Sequence, residues 1–326
     1  MSEITALGRV RFHGVLDNRN VSGVSLWRGN AVIVTDERVD SHKNVMQILE
    51  PHGNDFRARP DGVIVLGQGQ EMDLEGVAIH EDTVYVLGSH SWRRKMVKPP
   101  GSYKLRRAAL LSPPQAEKAR DVLIRVKLNS AGAPRQIKIT SLRHFLNRNE
   151  PFASFSKIAS KENGIDAEGL AIWKGQLYVG FRGPVLRDNF ACVLRCGFGP
   201  PITKPTTLFA ELGGRGVRDL AHVKHGLIIL AGPVGDGPGS YQLYFWDGND
   251  CVPHDPEGNK ALGLKLLSDL PKPQRSKDSD EKVAKAEGIA LVSESTNHWE
   301  LIVVYDGLKD GHGIRFRVRK PSAPAH

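Results

Sequence analysis

The chain repeats one pattern five times, and this repeat constrains the fold more than any other feature. Each copy consists of a short apolar run, a turn with Gly or charged residues, and a second apolar run rich in Val, Ile, Leu and Tyr. In the first four copies the second apolar run starts nine residues after the copy begins, and the fifth copy has five additional residues in its turn. The fourth position is small in every copy: Ser25, Ala78, Ala171, Ala221 and Ala290. The copies begin at five residues that we call the first column: Ser22, Glu75, Glu168, Arg218 and Glu287.

Two apolar runs joined by a turn predict a pair of β-strands, and further strand-like runs follow, such as "DVLIRVKLN", "ACVLRCGF" and "YQLYFWDG". Units of about four short strands repeated around a ring are typical of β-propeller blades. We therefore predict an all-β, five-bladed β-propeller. An alternative with six blades stays open, because 93 residues separate the starts of the second and third copies. Helical pattern is nearly absent, with "PPQAEKAR" and "SLRHFLNR" as the only short candidates.

A single propeller domain is predicted over residues 1–326, with its N-terminal strand closing the last blade. The segment "TALGRVRFHG" is expected to add the outer strand to that blade, beside "GIRFRVRK". The second blade carries a basic insertion, residues 92–120, which is expected to lie at the periphery and to be more mobile than the strands.

The chain has 45 Lys and Arg against 36 Asp and Glu, a formal net charge of +9, which favours anionic partners. Seven of the basic residues lie between residues 91 and 107, where there is no acid. This segment is either a solvated insertion or a surface for nucleic acid or phosphorylated ligands. No nucleic-acid-binding motif accompanies it, so nucleic acid is the less favoured partner and an anionic small molecule the more favoured one.

The apolar runs are too short to cross a bilayer, and the N-terminus lacks the basic and apolar regions of a secretory signal. Three cysteines cannot form a disulfide framework, and we expect Cys192 and Cys196 to be buried thiols. These observations predict a cytoplasmic protein with no membrane partner.

The geometry of a propeller predicts that the first-column side chains lie close together. The first strand of each blade lines the central channel, and small residues at the second and fourth positions allow the blades to approach closely. The first column would then point to the axis at one mouth of the channel. Three carboxylates placed there repel one another, which raises their pKa values or recruits a cation. The predicted ligands of a divalent cation, Ca²⁺ or Mg²⁺, are Glu75, Glu168, Glu287 and Ser22, with Arg218 as a partial counter-charge. No organic cofactor is predicted.

The turn after the second strand of each blade returns to the same mouth and adds polar residues around the first column. Arg182 and Arg93 are candidates to clamp an anionic molecule, and His90 is a candidate acid or base. The predicted catalytic residues are His90, Arg182 and Arg218, and the predicted ligand-binding residues are Ser89, Arg93, Asp36 and Asp166. A structural network that pairs Arg218 with the glutamates and closes the ring explains the first column nearly as well without a ligand.

Four motifs, "DLEGVA…GSHS", "AEGLA…YVGFRGP", "GRGVRDLA…LIILAGP" and "AEGIA…VVYDG", resemble in this order a bacterial family known as domain of unknown function 3616. The resemblance covers nearly the whole chain, residues 20 to 310, and implies a propeller-like fold with no established activity. The chain is more loosely similar to two groups of propeller hydrolases, the five-bladed calcium-activated nucleotidases (apyrases) and the phytase-like proteins. By that similarity Ser22, Glu75, Glu168 and Glu287 match calcium-ligand positions, whereas Arg218 does not.

Two functions of different classes remain. One is a metal-assisted hydrolase, of the (phospho)esterase type, acting on a phosphorylated or nucleotide-like small molecule at the channel mouth. The other is a non-catalytic propeller that binds a ligand or a partner. The sequence has no nucleophile elbow, metal-binding His cluster, P-loop or Rossmann glycine pattern, which disfavours many common enzyme classes. The sequence leaves open whether the protein is an enzyme.

Overall fold

The apolar runs of each repeat form β-strands in the structure, a computed structural model that describes residues 3–97, 100–198, 202–237, 239–253, 263–272, 284–308 and 313–321. Within these ranges the strands form five antiparallel blades, each beginning with the first apolar run of one copy as its inner strand. The fold is therefore the predicted five-bladed β-propeller.

The first two blades differ in their outer strands. The first blade contains β3 (Val21–Trp27), β4 (Asn30–Thr35), β5 (Lys43–His52) and β6 (Asp55–Gln68), with the short β2 (Phe12–His13) parallel to β6. The second contains β7 (Leu74–His80), β8 (Thr83–Gly88), β11 (Leu123–Leu128) and β12 (Pro134–Thr140).

The other three blades have four strands each. The third contains β13 (Asp166–Trp173), β14 (Gln176–Val185), β15 (Phe190–Gly197) and β16 (Thr203–Glu211). The fourth contains β17 (Gly216–Val223), β18 (Gly226–Gly232), β19 (Gln242–Trp246) and β20 (Leu264–Asp269). The fifth contains β21 (Lys285–Glu294), β22 (His298–Asp306), β23 (Gly313–Arg319) and β1 (Ile4–Val10).

The N-terminal residues connect the last blade to the first. Strand β1 pairs with β23 as the outermost strand of the fifth blade, and β2 then pairs with β6 of the first blade. Phe12 packs in the apolar cluster between these two blades, together with Val24 and Ile302. The chain therefore closes the ring by strand pairing and apolar packing.

Five apolar clusters fill the five interfaces between neighbouring blades, and the inner strands β3, β7, β13, β17 and β21 contact one another in cyclic order. Each blade is thus apolar on both faces, which is why its central strands are almost continuously hydrophobic. Cys192 and Cys196 lie in the cluster between the second and third blades as free buried thiols, and burial raises their pKa values to about 12.

The described residues of the long interval between the second and third copies form no sixth blade. They form β9 (Trp92–Arg93) paired with β10 (Gln115–Ala116), and the helices α1 (Tyr103–Leu111), α2 (Arg143–Leu146) and α3 (Phe152–Phe155). The candidate helix "PPQAEKAR" is β10 followed by one 3₁₀ turn, because its two prolines precede a strand pairing. "SLRHFLNR" contains the single-turn α2, and the longest helix of the described residues, α1, lies in the basic insertion ahead of both candidate helices. No helix among the described residues is long and apolar enough to span a bilayer.

The inner strand of every blade has a β-bulge at its first-column residue. In β13, Ala167 pairs with Phe181 and Gly169 pairs with Gly180, so Glu168 between them has no partner of its own. The same irregularity occurs in β3, β7, β17 and β21. A bulge adds one residue to a strand, bends it and turns a side chain in a new direction.

The residue after the first column is Gly in four blades, because the backbone of the next blade lies against it. A Cβ atom at Gly23 would lie 2.3 Å from the carbonyl oxygen of Glu75, and one at Gly76 would lie 2.6 Å from that of Glu168. No side chain fits in these spaces, so the glycines set the distance between inner strands.

The fourth blade has Asp219 at this position, and its side chain reaches both neighbouring blades. The carboxylate accepts hydrogen bonds from the backbone N–H groups of Leu170 at 3.2 Å, of Leu220 at 2.8 Å and of Ile289 at 2.8 Å. These donors belong to the third, fourth and fifth blades, and Asp219 is 1 % exposed. A buried carboxylate with three backbone donors therefore ties three inner strands together.

We predict that Asp219→Asn lowers the free energy of unfolding by about 2–3 kcal/mol, because the amide NH₂ would face backbone donors and leave buried N–H groups unpaired. Urea unfolding followed by circular dichroism measures this change. Asp188→Asn, at an exposed turn position with a left-handed backbone, is the matched control and should change stability by less than about 0.5 kcal/mol. Equal stability of the two variants would contradict the tying role of Asp219.

Candidate functional site

The five bulges bring the first column together at one mouth of the channel. The carboxylates of Glu75, Glu168 and Glu287 each offer an oxygen atom, and these three atoms lie within 4.8 Å of one another. Glu168, Glu287, Arg218 and Ser22 are buried, whereas Glu75 is only partly buried. The structure thus places the three glutamates and Arg218 in one cluster, with Glu75 as its most accessible acid, while Ser22 contacts the backbone next to Glu75.

A chain of alternating charges crosses the third, fourth and fifth blades at this mouth. Its order is Asp166, Arg182, Glu168, Arg218 and Glu287. Arg182 Nη1 lies 2.9 Å from one oxygen of Glu168, and Arg218 Nη1 lies 2.9 Å from the other. Arg182 also contacts Asp166, and Arg218 contacts Glu287. Burial nevertheless raises the pKa of Glu168 to about 7, against the opposing effect of the two guanidinium groups.

Glu75 lies outside this chain of ion pairs. Among the described residues its carboxylate forms no hydrogen bond or ion pair, although it lies beside Glu168. Burial, together with the negative charges of Glu168 and Asp73, raises the pKa of Glu75 well above its ordinary value. The Ser22 hydroxyl donates to the carbonyl oxygen of Leu74 at 2.5 Å. The lone pairs of its oxygen can still accept a hydrogen bond or bind a cation.

Asp36 adds a second acid without a cation beside it. Its Oδ1 atom is buried and has no hydrogen-bond partner among the described residues. Burial and the charges of Asp73 and Asp306 raise the pKa of Asp36 well above its ordinary value. Asp306 itself has a lysine neighbour, since Lys285 Nζ lies 3.6 Å from its carboxylate.

Asp73 is held by a network that the sequence did not indicate. Arg120 Nη1 lies 2.7 Å from Asp73 and Arg120 Nη2 lies 2.5 Å from Glu71, while the Ser89 hydroxyl donates to Asp73 at 2.5 Å. Arg120 is 8 % exposed, although the sequence placed it in the peripheral insertion. Ser89 is therefore near the mouth, but it supports Asp73, and the last residues of the insertion help to build the rim.

Both ring nitrogens of His90 form hydrogen bonds with backbone atoms. Its Nδ1 atom lies 2.8 Å from the carbonyl oxygen of Gly88, and its Nε2 atom accepts from the N–H of Leu142 at 3.0 Å. The ring is fully buried, and burial lowers its pKa to about 4. A neutral, buried ring with both nitrogens occupied fixes the turn after β8, so we assign no proton transfer to His90.

Both arginines of the predicted anion clamp contact carboxylates of the protein. Arg93 lies on β9 with its side chain 58 % exposed and pairs with Glu117, which belongs to the insertion. Arg182 is at the mouth, but Asp166 and Glu168 occupy its guanidinium group. The charge pattern along the sequence could not predict the ion-pair partners of these two arginines, because packing between strands determines those partners.

The mouth as a whole has more acids than bases. We use the name mouth cluster for Ser22 and these charged residues: Asp36, Asp73, Glu75, Asp166, Glu168, Glu287, Arg120, Arg182 and Arg218. Six carboxylates thus face three guanidinium groups. The guanidinium groups pair with Asp73, Asp166, Glu168 and Glu287, so the uncompensated charge is concentrated at Glu75 and Asp36.

Tyr241 is a further residue at the mouth that the sequence did not single out. A Cβ atom at Gly232 would lie 2.5 Å from the Tyr241 ring and 2.9 Å from Cγ of Arg218, so the ring and the aliphatic part of Arg218 both pack on this glycine. Burial raises the pKa of the Tyr241 hydroxyl. The aromatic ring therefore helps to exclude water from the Arg218 ion pairs.

The unpaired carboxylate of Glu75 leads to a prediction for the metal-free protein. With a raised pKa, the folded protein retains a proton that the unfolded chain releases, so stability falls as the pH rises above about 4.5. Glu75→Gln cannot titrate and should be more stable than the wild type by about 1–2 kcal/mol at pH 8, with little difference at pH 4. Urea unfolding in the presence of a chelator measures both values.

Glu81→Gln is the matched control, because Glu81 is exposed just beyond the opposite end of β7. This variant should keep the pH dependence of the wild type. If Glu75→Gln were instead less stable than the wild type at pH 8, the carboxylate would have a stabilising partner and the assignment of uncompensated charge would be wrong.

Comparisons with solved structures find similar folds at low sequence identity. A hypothetical protein from Leishmania major is 15 % identical over 97 % of this chain and 91 % of its own, with a TM-score of 0.46. A GH43 β-1,3-galactosidase is 11 % identical over 98 % of this chain and 96 % of its own, with a TM-score of 0.48. A β-1,2-mannobiose phosphorylase from Listeria innocua is 11 % identical over 96 % and 91 %, with a TM-score of 0.47. At these values we carry no activity over to this chain.

Among curated proteins, none matches the sequence significantly. The looser similarity to calcium-activated nucleotidases and phytase-like proteins stays a prediction. One family profile does match, from residue 20 to residue 313, and its description is "Protein of unknown function (DUF3616)". The match spans the five inner strands and every residue of the mouth cluster, so the chain belongs to the DUF3616 family.

Proposed function

We propose that the channel mouth binds one divalent cation, Ca²⁺ or Mg²⁺, and that this cation serves a hydrolase acting on a phosphorylated or nucleotide-like small molecule. The observation that carries the proposal is Glu75, a partly buried carboxylate that forms no hydrogen bond or ion pair with a described residue and lies beside two further glutamates. A cation at this position would supply the positive charge that the three guanidinium groups leave missing.

The donor set suits a hard cation. Glu75, Glu168 and Glu287 offer carboxylate oxygens and Ser22 offers a hydroxyl oxygen, and Ca²⁺ and Mg²⁺ both prefer oxygen ligands. Glu168 and Glu287 each also bind Arg218, so their contribution would be partial and Glu75 would be the principal ligand. Asp36 Oδ1 and Glu168 Oε2 are both buried without a hydrogen-bond partner among the described residues, so each has unused capacity to accept.

The same contacts explain why an anionic substrate would need the cation. Arg182 and Arg218 are committed to carboxylates, so neither offers a free guanidinium group to a phosphate. A bound cation would polarise a phosphoryl oxygen and lower the pKa of a bound water.

A non-catalytic binding propeller is the second candidate, and one observation favours it. The chain of ion pairs from Asp166 to Glu287 connects three blades and involves every predicted catalytic residue except His90, which supports a turn. These ion pairs can stabilise a mouth that only binds a ligand, so their presence does not imply that the protein is an enzyme.

We predict that the purified protein binds about one divalent cation per chain and that Glu75→Gln weakens this binding at least tenfold without lowering stability. Elemental analysis and calorimetric titration with CaCl₂ and MgCl₂ measure the binding. Glu81→Gln is the matched control and should bind like the wild type. Unchanged affinity in Glu75→Gln would remove Glu75 as the principal ligand and refute the proposed site.

For activity, we predict hydrolysis of at least one member of a panel of phosphomonoesters and nucleoside phosphates in the presence of Ca²⁺ or Mg²⁺. Turnover should be lost in a chelator and reduced at least a hundredfold in Glu75→Gln. If the cation binds but no member of a phosphoester, nucleotide and ester panel is hydrolysed, the non-catalytic candidate is favoured over the hydrolase.

A further inference from the structure

The basic insertion of the second blade presents an exposed helix. Helix α1 extends from Tyr103 to Leu111 and starts at Ser102, whose hydroxyl accepts from the N–H of Leu105. Ala109 is its one buried residue. Large apolar side chains are exposed instead, on the helix and in the segment before it: Met96 69 %, Tyr103 80 %, Leu105 58 %, Leu110 72 % and Leu111 68 %. Such a concentration of exposed apolar side chains on one short segment marks an interaction surface.

Polar contacts, more than apolar packing, hold α1 on the propeller. The Arg94 guanidinium group binds both oxygens of Glu162 and donates to the carbonyl oxygens of Leu110 and Ser112. This clamp fixes the C-terminal end of the helix while its apolar side chains remain in solvent. The helix is therefore positioned on the body of the protein without being buried by it.

The charged residues of this segment are all basic. Residues 91–107 contain seven basic residues and no acid. Arg93 and Arg94 pair with Glu117 and Glu162. Four others form no ion pair with any described residue: Lys95, Lys104, Arg106 and Arg107. The exposed surface of the insertion thus combines free cations with free aliphatic and aromatic side chains.

We propose that α1 and Met96 bind the surface of an anionic lipid bilayer, in contrast to the prediction from the sequence that the protein has no membrane partner. With 3.6 residues per turn, Tyr103, Arg107 and Leu110 fall within about 60° on one face of α1, which is turned about 100–160° away from the buried Ala109. Cationic and apolar side chains are therefore interleaved on the outward face. At a bilayer surface the aliphatic groups enter the boundary of the acyl chains, while Lys and Arg extend to the anionic headgroups.

Both kinds of contact are needed. A nine-residue helix is about 14 Å long, and its few apolar side chains alone give weak, reversible membrane binding. Basic residues add attraction to anionic lipids, and the two contributions together give stable binding. Nucleic acid would use only the cations and leave the leucines in water, so it fits this surface less well. This inference is independent of the chemistry proposed for the channel mouth.

Vesicle sedimentation with the full-length protein tests the proposal. The probe is phosphatidylcholine vesicles in which about one lipid in three is phosphatidylserine, compared with pure phosphatidylcholine. We expect the wild type to bind the anionic vesicles, the triple variant Lys104→Glu, Arg106→Glu, Arg107→Glu to bind at least a hundredfold more weakly, and Leu110→Ser, Leu111→Ser to bind at least tenfold more weakly.

Two matched controls use the exposed outer strand β12 of the same blade. Arg135→Glu, Lys138→Glu changes charge, and Ile137→Ser, Ile139→Ser removes exposed apolar groups, away from α1. Both should bind like the wild type. Tyr103→Trp should show a blue shift of its fluorescence on anionic vesicles and none on neutral ones, since the indole would leave water.

Three results would overturn the proposal. They are no binding of the wild type to anionic vesicles, an unchanged vesicle affinity of the leucine variant, or a loss of vesicle affinity in the β12 controls as large as in the α1 variants. Binding of DNA or RNA oligonucleotides that the triple charge variant loses and the leucine variant keeps, without vesicle binding, would assign the surface to nucleic acid instead. Concentration-dependent self-association that the leucine variant abolishes, without vesicle binding, would assign it to a second copy of this chain.

Discussion

The close approach of the five inner strands around the channel is the constraint on which the rest of the structure depends. Glycines after the first column allow backbone to lie against backbone, and at the single exception Asp219 binds the N–H groups of three blades. This spacing lets the apolar faces of neighbouring blades fill the five interfaces. It also brings five side chains from five distant parts of the sequence to one mouth of the channel.

The bulge at every first-column residue links this packing to the chemistry of the mouth. In a regular strand, side chains alternate between the two blade faces, both of which are filled by apolar clusters. The extra residue of the bulge takes the first column out of that alternation, so charged side chains can meet at the axis. Ion pairs with arginines then compensate the negative charge of most of these carboxylates. Glu75 and Asp36 are the two whose charge is left without an ion pair among the described residues.

The insertion of the second blade contributes at two places. Its last residue, Arg120, is buried against Asp73 and Glu71 and belongs to the rim, whereas α1 remains exposed and carries free cations. The sequence presented this segment as one basic, peripheral stretch. A signal for α1 was nevertheless present, because Ser102 is a good N-cap and "YKLRRAALL" contains strong helix formers.

The sequence by itself determined the position of each inner strand and the identity of the first column, because one repeated pattern encodes a hairpin five times. It favoured five blades over six, and the strand pairing of the described residues decided for five. Only the tertiary structure decided which charges meet. Arg120 and Asp73 are 47 residues apart, and Arg218 and Glu168 are 50 apart, so their pairing depends on how blades pack and not on local pattern. The same holds for His90 and Arg93, whose residue types suggested chemistry but whose contacts are with the backbone and with the insertion. Spacing along a chain predicts which residues share a position in a repeat, whereas the partner of a side chain is set by distances between strands.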